Sequence, residues 1–231
     1  MPDWLTALIG DKTAGGGSTV SDNKPYTIPF TAAVNPTAEA REAEIVINIP
    51  EGTAQTIKIG QSGSTLTQGG AVSLGAAADS EGSFTFTATK GLKWQASLSD
   101  WLGWTTANPA ASGDAATGSA QNLKIKATAS NPKASQRSGT ITVKAGASVD
   151  DASYTGLKQE IAVNQAASTL SVSGATTVAA TASTTDYVST FSATKGLSWN
   201  VSENMDWLTL TGTTEGTNNT TGTNQDIKYS V

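Results

Sequence analysis

The sequence predicts an all-β chain made of tandem immunoglobulin-like antiparallel β-sandwiches without disulfides. Apolar residues alternate with small or polar residues in many short stretches, as in strands with one buried and one exposed face. Only 14% of the residues are charged, whereas exposed helix faces normally carry many Glu and Lys residues. The phrase ATKGLKW at 88–94 returns as ATKGLSW at 193–199, so we expect the same structural unit more than once.

Alternating stretches follow one another in the middle of the chain, separated by clusters of Gly, Asn, Pro, Asp and Ser that predict turns. The segment 108–118 has this turn composition throughout and is predicted to be a loop. About seven short strands per 100 residues are typical of a two-sheet sandwich. The clearest predicted strands are SFTFTAT (83–89), LKWQASL (92–98), LKIKATA (123–129), TITVKA (140–145) and EIAVN (160–164).

Landmarks recur along the chain in one order. The dipeptide Asp-Trp occurs at 3–4, 100–101 and 206–207, and Trp94 matches Trp199 at a distance of 105 residues. A period of about 100 residues has the size of a whole domain rather than of a solenoid repeat. We therefore predict the back half of one unit at 1–65, a complete unit at 66–168 and the front half of another at 169–231.

A second set of landmarks marks the later part of each repeat. An Asn-Pro dipeptide precedes Arg41 and Arg137 by five residues, and two alternating stretches then lead to Gln61 and Gln165. We expect each arginine to lay its alkyl stem over the core and to hydrogen-bond through its head. Little sequence separates each glutamine from the next predicted unit, which predicts abutting domains and a stiff rod with modest bending.

The repeated phrase is explained by a shared core. Leu92 and Trp94 lie on one face of a predicted strand, and Gly91 lies at the bend where that strand begins. A buried Trp removes about 200 Å² from water, so each unit gains much of its core from this position. We expect Trp94 and Trp199 to occupy equivalent buried sites. The tryptophans of the Asp-Trp pairs are also predicted to be structural, namely Trp4, Trp101 and Trp207. The aspartate of each pair is predicted to cap a turn.

Composition excludes several kinds of chemistry. The chain contains no His and no Cys, so imidazole acid–base catalysis, thiol catalysis, disulfides and His- or Cys-ligated zinc are impossible. No loop has the spacing of a dedicated calcium site. The Asp of the Asp-Trp pair is the one carboxylate that neighbouring repeats share, whereas a glycosidase needs two flanking a cleft. We predict that the chain is not an enzyme and has no cofactor or metal.

Charge and hydropathy limit the partners. The net charge is −5 and no basic block exists, which argues against nucleic acid as a partner. No apolar run approaches the roughly 18–20 residues of a membrane span. The first residues, MPDWLTALIGDK, have no basic region and no long apolar stretch, so we expect no secretory signal at this position.

The chain resembles the BACON domain family in the order of its motifs: GLxW, DWL, Asn-Pro with a following Arg, GTITV and a closing I-x-V-x-Q. The name stands for Bacteroidetes-associated carbohydrate-binding, often N-terminal, and the resemblance covers one full and two partial copies. It implies tandem sandwiches without enzymatic activity, located outside the cell on gut Bacteroidetes or in virions of their phages. An adhesive module for a glycan or mucin is the first function implied. A structural spacer or a self-associating virion fibre or decoration protein is the alternative.

Candidate ligand contacts are few. Trp104 has no aromatic counterpart, because the third copy has Leu210 there, and a core residue is the alternative interpretation. Tyr154 and the pair Asp150 and Asp151 lie in GASVDDASYTG (146–156), an insertion that the first copy lacks. A hairpin extension of this kind could present them to a partner, although a plain exposed hairpin remains the alternative.

The two half-copies leave three hypotheses open. If they are real ends, each exposes a sheet edge and half a core, which folded proteins avoid. The front half of one molecule could then complete the back half of another, giving head-to-tail filaments or rings. The halves overlap by about 28 residues, so some strands would be redundant. A fragment of a longer array, or smaller sandwiches at both ends, are the other two hypotheses.

Overall fold

The structure is a computed structural model that describes residues 2–9, 12–13, 27–48, 51–106, 111–149, 154, 156–174, 177–182, 185–218 and 222–231. These residues include no helix, which confirms the all-β prediction. Accordingly, they offer no helix that is long and apolar enough to cross a membrane. The strands in chain order are β1 (Leu5–Ile9), β2 (Lys12–Thr13), β3 (Phe30–Ala32), β4 (Arg41–Ile47), β5 (Gln55–Gln61), β6 (Leu66–Gln68), β7 (Val72–Leu74), β8 (Glu81–Ala88), β9 (Lys93–Leu98), β10 (Leu102–Trp104), β11 (Ser112–Gly113), β12 (Gln121–Ala127), β13 (Arg137–Gly146), β14 (Leu157–Gln165), β15 (Leu170–Gly174), β16 (Tyr187–Ala193), β17 (Leu197–Asn200), β18 (Thr209–Leu210), β19 (Glu215–Asn218) and β20 (Gln225–Ser230).

Two sheets face each other in the central segment, residues 66–168. One sheet has the strand order β10-β12-β8-β6 and the other has the order β11-β9-β13-β14-β7. Side chains from both sheets form one buried cluster, so this segment is a two-layer sandwich. The pairing of β7 with β14 is parallel, whereas the sequence predicts antiparallel pairing. Because β7 has only three residues, its sequence shows no periodicity that could have indicated it.

The alternating stretches become strands close to their predicted bounds. All of the predicted central strands are present, and each end lies within three residues of the prediction. The predicted loop at 108–118 is partly wrong, because β11 lies within it and pairs with β9. Residues 107–110 lie outside the described part of the chain.

The glycine of each repeated phrase forms a turn before a strand. Gly91 has a φ of 90° and Gly196 a φ of 87°, a region that residues with a Cβ rarely adopt. The amide of Leu92 donates to the carbonyl of Thr89 over 3.3 Å, and the same bond joins Leu197 to Thr194 over 3.3 Å. Both are β-turns with the glycine at the third position, where positive φ is required. The prediction of a bend at Gly91 is confirmed.

Each tryptophan of the phrase packs between an aromatic ring and a glycine. Trp94 is 6% exposed, and its ring centroid lies 4.9 Å from that of Phe86. Trp199 lies 4.8 Å from Phe191 in the same way. Across the sheet, Trp94 is opposite Gly113, and a Cβ added to that glycine would lie 2.4 Å from the indole Nε1. The indole therefore lies directly over a backbone that has no side chain.

The third segment, residues 169–231, repeats only part of this architecture. Its strand orders β15-β16-β20-β18 and β17-β19 match β6-β8-β12-β10 and β9-β11 of the central segment. Trp199 and Leu197 are only half-buried, whereas Trp94 is 6% and Leu92 0% exposed. The equivalence of the two tryptophans is confirmed, but Trp199 is less deeply buried than predicted because fewer strands cover it.

The first segment, residues 1–65, repeats the complementary part. It contains the sheet β2-β1-β3 and the two-stranded sheet β4-β5. Its described core is small: Leu5 and Ala43 are 3% and 7% exposed. Apolar side chains on the β4–β5 pair remain accessible, with Ile47 40% and Ile57 41% exposed.

Candidate functional site

The Asp-Trp pairs form the same turn in every copy. The leucine after each pair donates its amide to the carbonyl three residues earlier, over 3.1, 2.9 and 3.1 Å for Leu5, Leu102 and Leu208. Asp and Trp are thus the two central residues of each turn, a position that suits Asp. The predicted turns are confirmed, and capping of the turn by the aspartate side chain stays a prediction.

An arginine covers the indole of the Asp-Trp turn in the central segment. The guanidinium carbon of Arg137 lies 4.3 Å from the ring centroid of Trp101. Its Nε donates to the Gln165 Oε1 over 2.7 Å and its Nη2 donates to the Ala129 carbonyl over 2.9 Å. Burial lowers the pKa of the Arg137 guanidinium, although an arginine stays charged at physiological pH. The arginine head therefore makes the predicted hydrogen bonds, and its guanidinium also stacks on the indole of Trp101.

The first segment has the same arrangement. Arg41 lies 4.3 Å from the ring centroid of Trp4. Its Nε donates to the Gln61 Oε1 over 2.7 Å, and its Nη2 donates to the Ala33 carbonyl over 2.7 Å. Arginine, glutamine and tryptophan thus recur as one three-residue unit.

A buried asparagine fastens the linker that follows each closing glutamine. Asn131 is 0% exposed, and its Nδ2 donates to the Ser135 carbonyl over 2.8 Å and to the Ala166 carbonyl over 2.9 Å. The Ser168 hydroxyl donates to the Asn131 carbonyl over 2.5 Å. Side-chain hydrogen bonds therefore hold the start of the linker, residues 166–168, against the central segment.

The preceding junction has the same bonds. Asn35 Nδ2 donates to the Glu39 carbonyl over 2.7 Å and to the Ser62 carbonyl over 3.2 Å. The Ser64 hydroxyl donates to the Asn35 carbonyl over 2.6 Å. Sequence reasoning noted the Asn-Pro dipeptides but missed this role, which the serine three residues after each closing glutamine could have indicated.

Trp104 packs against the central core. It is half-buried, and its ring centroid lies 6.2 Å from that of Phe84. In β10 it pairs with Ile125, as Leu210 pairs with Tyr229 in the third segment, so the predicted correspondence of Trp104 and Leu210 is right. Its surroundings are those of the core residue that the sequence analysis kept as the alternative.

Tyr154 closes the β13–β14 connection. Its hydroxyl oxygen accepts a hydrogen bond from the Ala145 amide over 2.8 Å. Its single proton is shared between the Ala145 carbonyl, at 2.7 Å, and the Leu157 carbonyl. Burial raises the pKa of the phenol, and the hydrogen bond from the Ala145 amide partly offsets that effect. The hydroxyl is thus already occupied by backbone groups. Asp150 and Asp151 lie outside the described residues.

Trp207 differs from the other two turn tryptophans. It is 60% exposed, and the neighbouring Met205 is 50% exposed, whereas Trp4 and Trp101 are half-buried beneath arginines. The prediction of a structural role for this indole is therefore wrong as far as burial is concerned. The covering arginine belongs to a strand equivalent to β4 or β13, and the described part of residues 169–231 contains no such strand.

The described residues of the third segment line two cavities of interest, the first of them together with Pro132, Lys133 and Ala134 of the central segment. The first, of about 400 Å³, is an apolar groove between β15–β16 and β17. The second, of about 420 Å³, is polar, and we call it the polar pocket. Its lining residues are Asp186, Trp199, Thr211, Gly212, Thr213, Gln225, Asp226 and Lys228.

The polar pocket joins one aromatic ring to hydrogen-bonding groups of both kinds. Asp186 and Asp226 supply carboxylate acceptors, Lys228 supplies an ammonium donor and Gln225 supplies an amide. All but Gln225 and Trp199 are exposed. Sequence reasoning missed this site because its residues come from three separate stretches, and no local motif joins them.

The part of the chain that the structure describes offers no candidate metal site. No group of three or more His, Cys, Asp or Glu residues there could hold a metal ion.

Comparison with known families agrees with these recurring features. The BACON family model, described as "Putative binding domain, N-terminal", matches residues 2–62 and 99–166, more than half of the chain. Both matches begin beside an Asp-Trp turn and end just after Gln61 or Gln165. No curated protein matches the chain closely enough to serve as a relative. Since the matched stretches contain the arginine, glutamine and tryptophan units described above, the chain belongs to the BACON family of binding domains.

Proposed function

We propose that the chain is a non-catalytic, carbohydrate-binding module that acts outside the cell, at a bacterial surface or in a phage virion. The observation that supports this most is the polar pocket, where an indole lies beside carboxylate, amide and ammonium groups. A sugar ring offers hydroxyl groups that donate and accept hydrogen bonds, together with apolar C–H faces that suit an aromatic side chain. Small-molecule sites are concave and orient their ligand through convergent polar groups, which this pocket supplies around one aromatic ring.

Binding rather than hydrolysis is proposed for this pocket. A glycosidase needs one carboxyl group that stays protonated, and an apolar, buried environment is what achieves this. Asp186 and Asp226 are both exposed to solvent. Because water surrounds both carboxylates, the pocket suits recognition of sugar hydroxyls better than proton donation to a glycosidic oxygen.

The test is a glycan array that includes mucin oligosaccharides, followed by titration calorimetry on the hits. We expect Kd values in the micromolar-to-millimolar range, and Asp226→Ala to weaken binding at least about tenfold. The matched control is Asn122→Ala, since Asn122 occupies the same register on β12 that Asp226 occupies on β20. A blank array, or equal binding by the two variants, would count against the proposal.

A second candidate function is a structural spacer, and the fastened junctions favour it. Asn131 and Ser168 hold one linker, and Asn35 and Ser64 hold the other, through the same set of hydrogen bonds. Because β6 begins two residues after Ser64 and β15 two residues after Ser168, few residues are left free to bend, which suits a rod that carries a binding surface away from a cell or virion. Small-angle X-ray scattering is the test. We expect one rigid conformer to fit the profile, and Asn131→Ala to require an ensemble; a wild-type profile that itself needs an ensemble opposes the spacer.

A further inference from the structure

The apolar groove of the third segment exposes a leucine whose counterpart the central segment buries, together with a valine whose counterpart is the exposed Gln68. Leu170 and Val172 on β15 are 69% and 67% exposed. Leu66, the counterpart of Leu170 on β6, is 5% exposed. Something that covers Leu66 in the central segment therefore leaves Leu170 uncovered. The apolar side chains of the groove come from the third segment: Leu170, Val172, Phe191, Leu197, Trp199 and Ile227. Pro132, Lys133 and Ala134 of the central segment line its other side.

The cover in the central segment is the β13–β14 hairpin. β13 pairs antiparallel with β9, with Val143 opposite Ala96, and the hairpin contributes Val143 and Ile161, both 0% exposed, to the core. Among the described residues of 169–231, no strand corresponds to β13 or β14, and β17 pairs with β19 alone. One edge of β17 therefore has no partner strand among the described residues, and the apolar side chains of the groove beside it are exposed. Folded proteins usually cover such an edge with another strand or chain segment.

The β4–β5 hairpin of the first segment has the form of that cover. Arg41 lies opposite Gln61 and Ile45 opposite Ile57, which is the register of β13 and β14. Ile47 and Ile57 are 40% and 41% exposed, while their counterparts on β13 and β14 are 0% exposed. The hairpin therefore carries the apolar face of a core strand pair without a full core to bury it.

The Asp-Trp turn of the third segment offers a second point of fit. Trp207 is 60% exposed, and its counterparts Trp4 and Trp101 each lie beneath a guanidinium at 4.3 Å. On β4 the arginine stands at the position that Arg137 holds on β13. A hairpin of this kind in the groove would bring Arg41 over Trp207.

We propose that two copies of this chain associate head to tail, with the β4–β5 hairpin of one copy filling the apolar groove of the other. β4 adds to the open edge of β17 by β-augmentation, and the isoleucines of the hairpin pack on Leu170, Phe191 and Trp199. Because the contact joins two different surfaces, it can continue from copy to copy into rings or filaments.

The incoming copy must first move its own β1 and β3 aside. β18 and β20 of the receiving copy hold the equivalent places in the sandwich, so β1 and β3 are redundant there. They share no sheet with β4 and β5, and Arg41 exchanges its stack on Trp4 for one on Trp207. The exchange is therefore a domain swap.

This association goes beyond glycan binding and does not depend on it, since the groove and the polar pocket share only Trp199 among their lining residues. Sedimentation velocity on the 231-residue chain over a wide range of concentrations is the first test. We expect the mean mass to rise with concentration. Mass that stays at the monomer value throughout overturns the proposal.

Charged substitutions on either surface identify the contact. Ile57→Glu and Leu170→Glu should each weaken association at least about tenfold, and because both side chains are already 41% and 69% exposed, each monomer should stay folded. Val46→Glu is the matched control: Val46 is 51% exposed but lies on the opposite face of β4. Association that survives Ile57→Glu and Leu170→Glu, or that Val46→Glu weakens equally, contradicts the proposed contact.

A disulfide tests the register directly, because the chain contains no cysteine of its own. Thr142 faces Ser97 between β13 and β9, and the equivalent positions are Val46 and Ser202. The double variant Val46→Cys and Ser202→Cys should give a ladder of intermolecular disulfides on oxidation. Moving the second cysteine to Ser198, about 13 Å along the strand, should abolish the ladder. Equal crosslinking at both positions contradicts the register.

Discussion

Replacing Trp94 with alanine removes a large aromatic side chain from the central core. Trp94 is 6% exposed and packs on Phe86 with ring centroids 4.9 Å apart. A buried Trp removes about 200 Å² from water, which at about 25 cal/mol per Å² corresponds to about 5 kcal/mol. Alanine keeps part of that surface and the unfolded chain is already partly compact, so we expect a loss of about 4 kcal/mol.

The other copies supply graded controls for this substitution. Trp199 is half-buried at the equivalent position, so Trp199→Ala should cost about 2 kcal/mol. Trp207 is 60% exposed, and its replacement should cost less than about 1 kcal/mol.

Differential scanning calorimetry measures each segment's transition, with urea denaturation followed by far-ultraviolet dichroism as a second measurement. The central transition should fall by about 15–30 °C in Trp94→Ala, since about 1 kcal/mol moves the midpoint of a 60–100-residue domain by about 4–8 °C. Equal losses for all three variants, or an unchanged central transition in Trp94→Ala, would refute the account of a repeated core that covers Trp94 more fully than Trp199.

Three further predictions rest on single contacts. Arg137→Lys should destabilise the central segment by about 1–2 kcal/mol in urea denaturation, because lysine cannot stack on Trp101 and bond Gln165 at once; an unchanged midpoint contradicts this. Gly91→Ala should cost about 1–2 kcal/mol, because its φ is 90°, and a neutral effect would show that the turn relaxes. The Tyr154 pKa is raised by burial above the ordinary value of 10.0, so the stability that its neutral hydroxyl contributes is complete below pH 10 and lost as the pH rises through the folded-state pKa. The urea midpoint of the wild type should therefore fall more steeply above pH 10 than that of Tyr154→Phe, and parallel curves would contradict this.

Local chemistry made the recurring elements predictable. A glycine before Leu92 and Trp94 predicts a turn and then a strand with both side chains on one face. The turn is found, both side chains are buried, and the strand begins at Lys93, one residue after Leu92. The Asp-Trp pairs predict turns because Asp favours turn positions whatever the rest of the fold.

Features that depend on distant strands could not be read from the sequence. Gly113 lies beneath Trp94 only because β11 pairs with β9, and a single Gly in a turn-rich stretch gives no sign of this. Trp101 and Trp207 stand in the same local sequence, yet one lies under Arg137 and the other is 60% exposed. The difference arises from a strand more than thirty residues away in sequence, so local patterns cannot indicate it.

Amide hydrogen exchange along β9 and β17 tests most directly whether the third segment is the central sandwich without its covering hairpin. β9 is bonded on both edges, to β11 and β13, while β17 pairs with β19 alone. In dilute solution we predict slow exchange throughout 93–98 and fast exchange at the amides of 197–200 that face away from β19, with their protection rising as the protein concentration increases. Equal protection of the two strands in dilute solution would contradict this account.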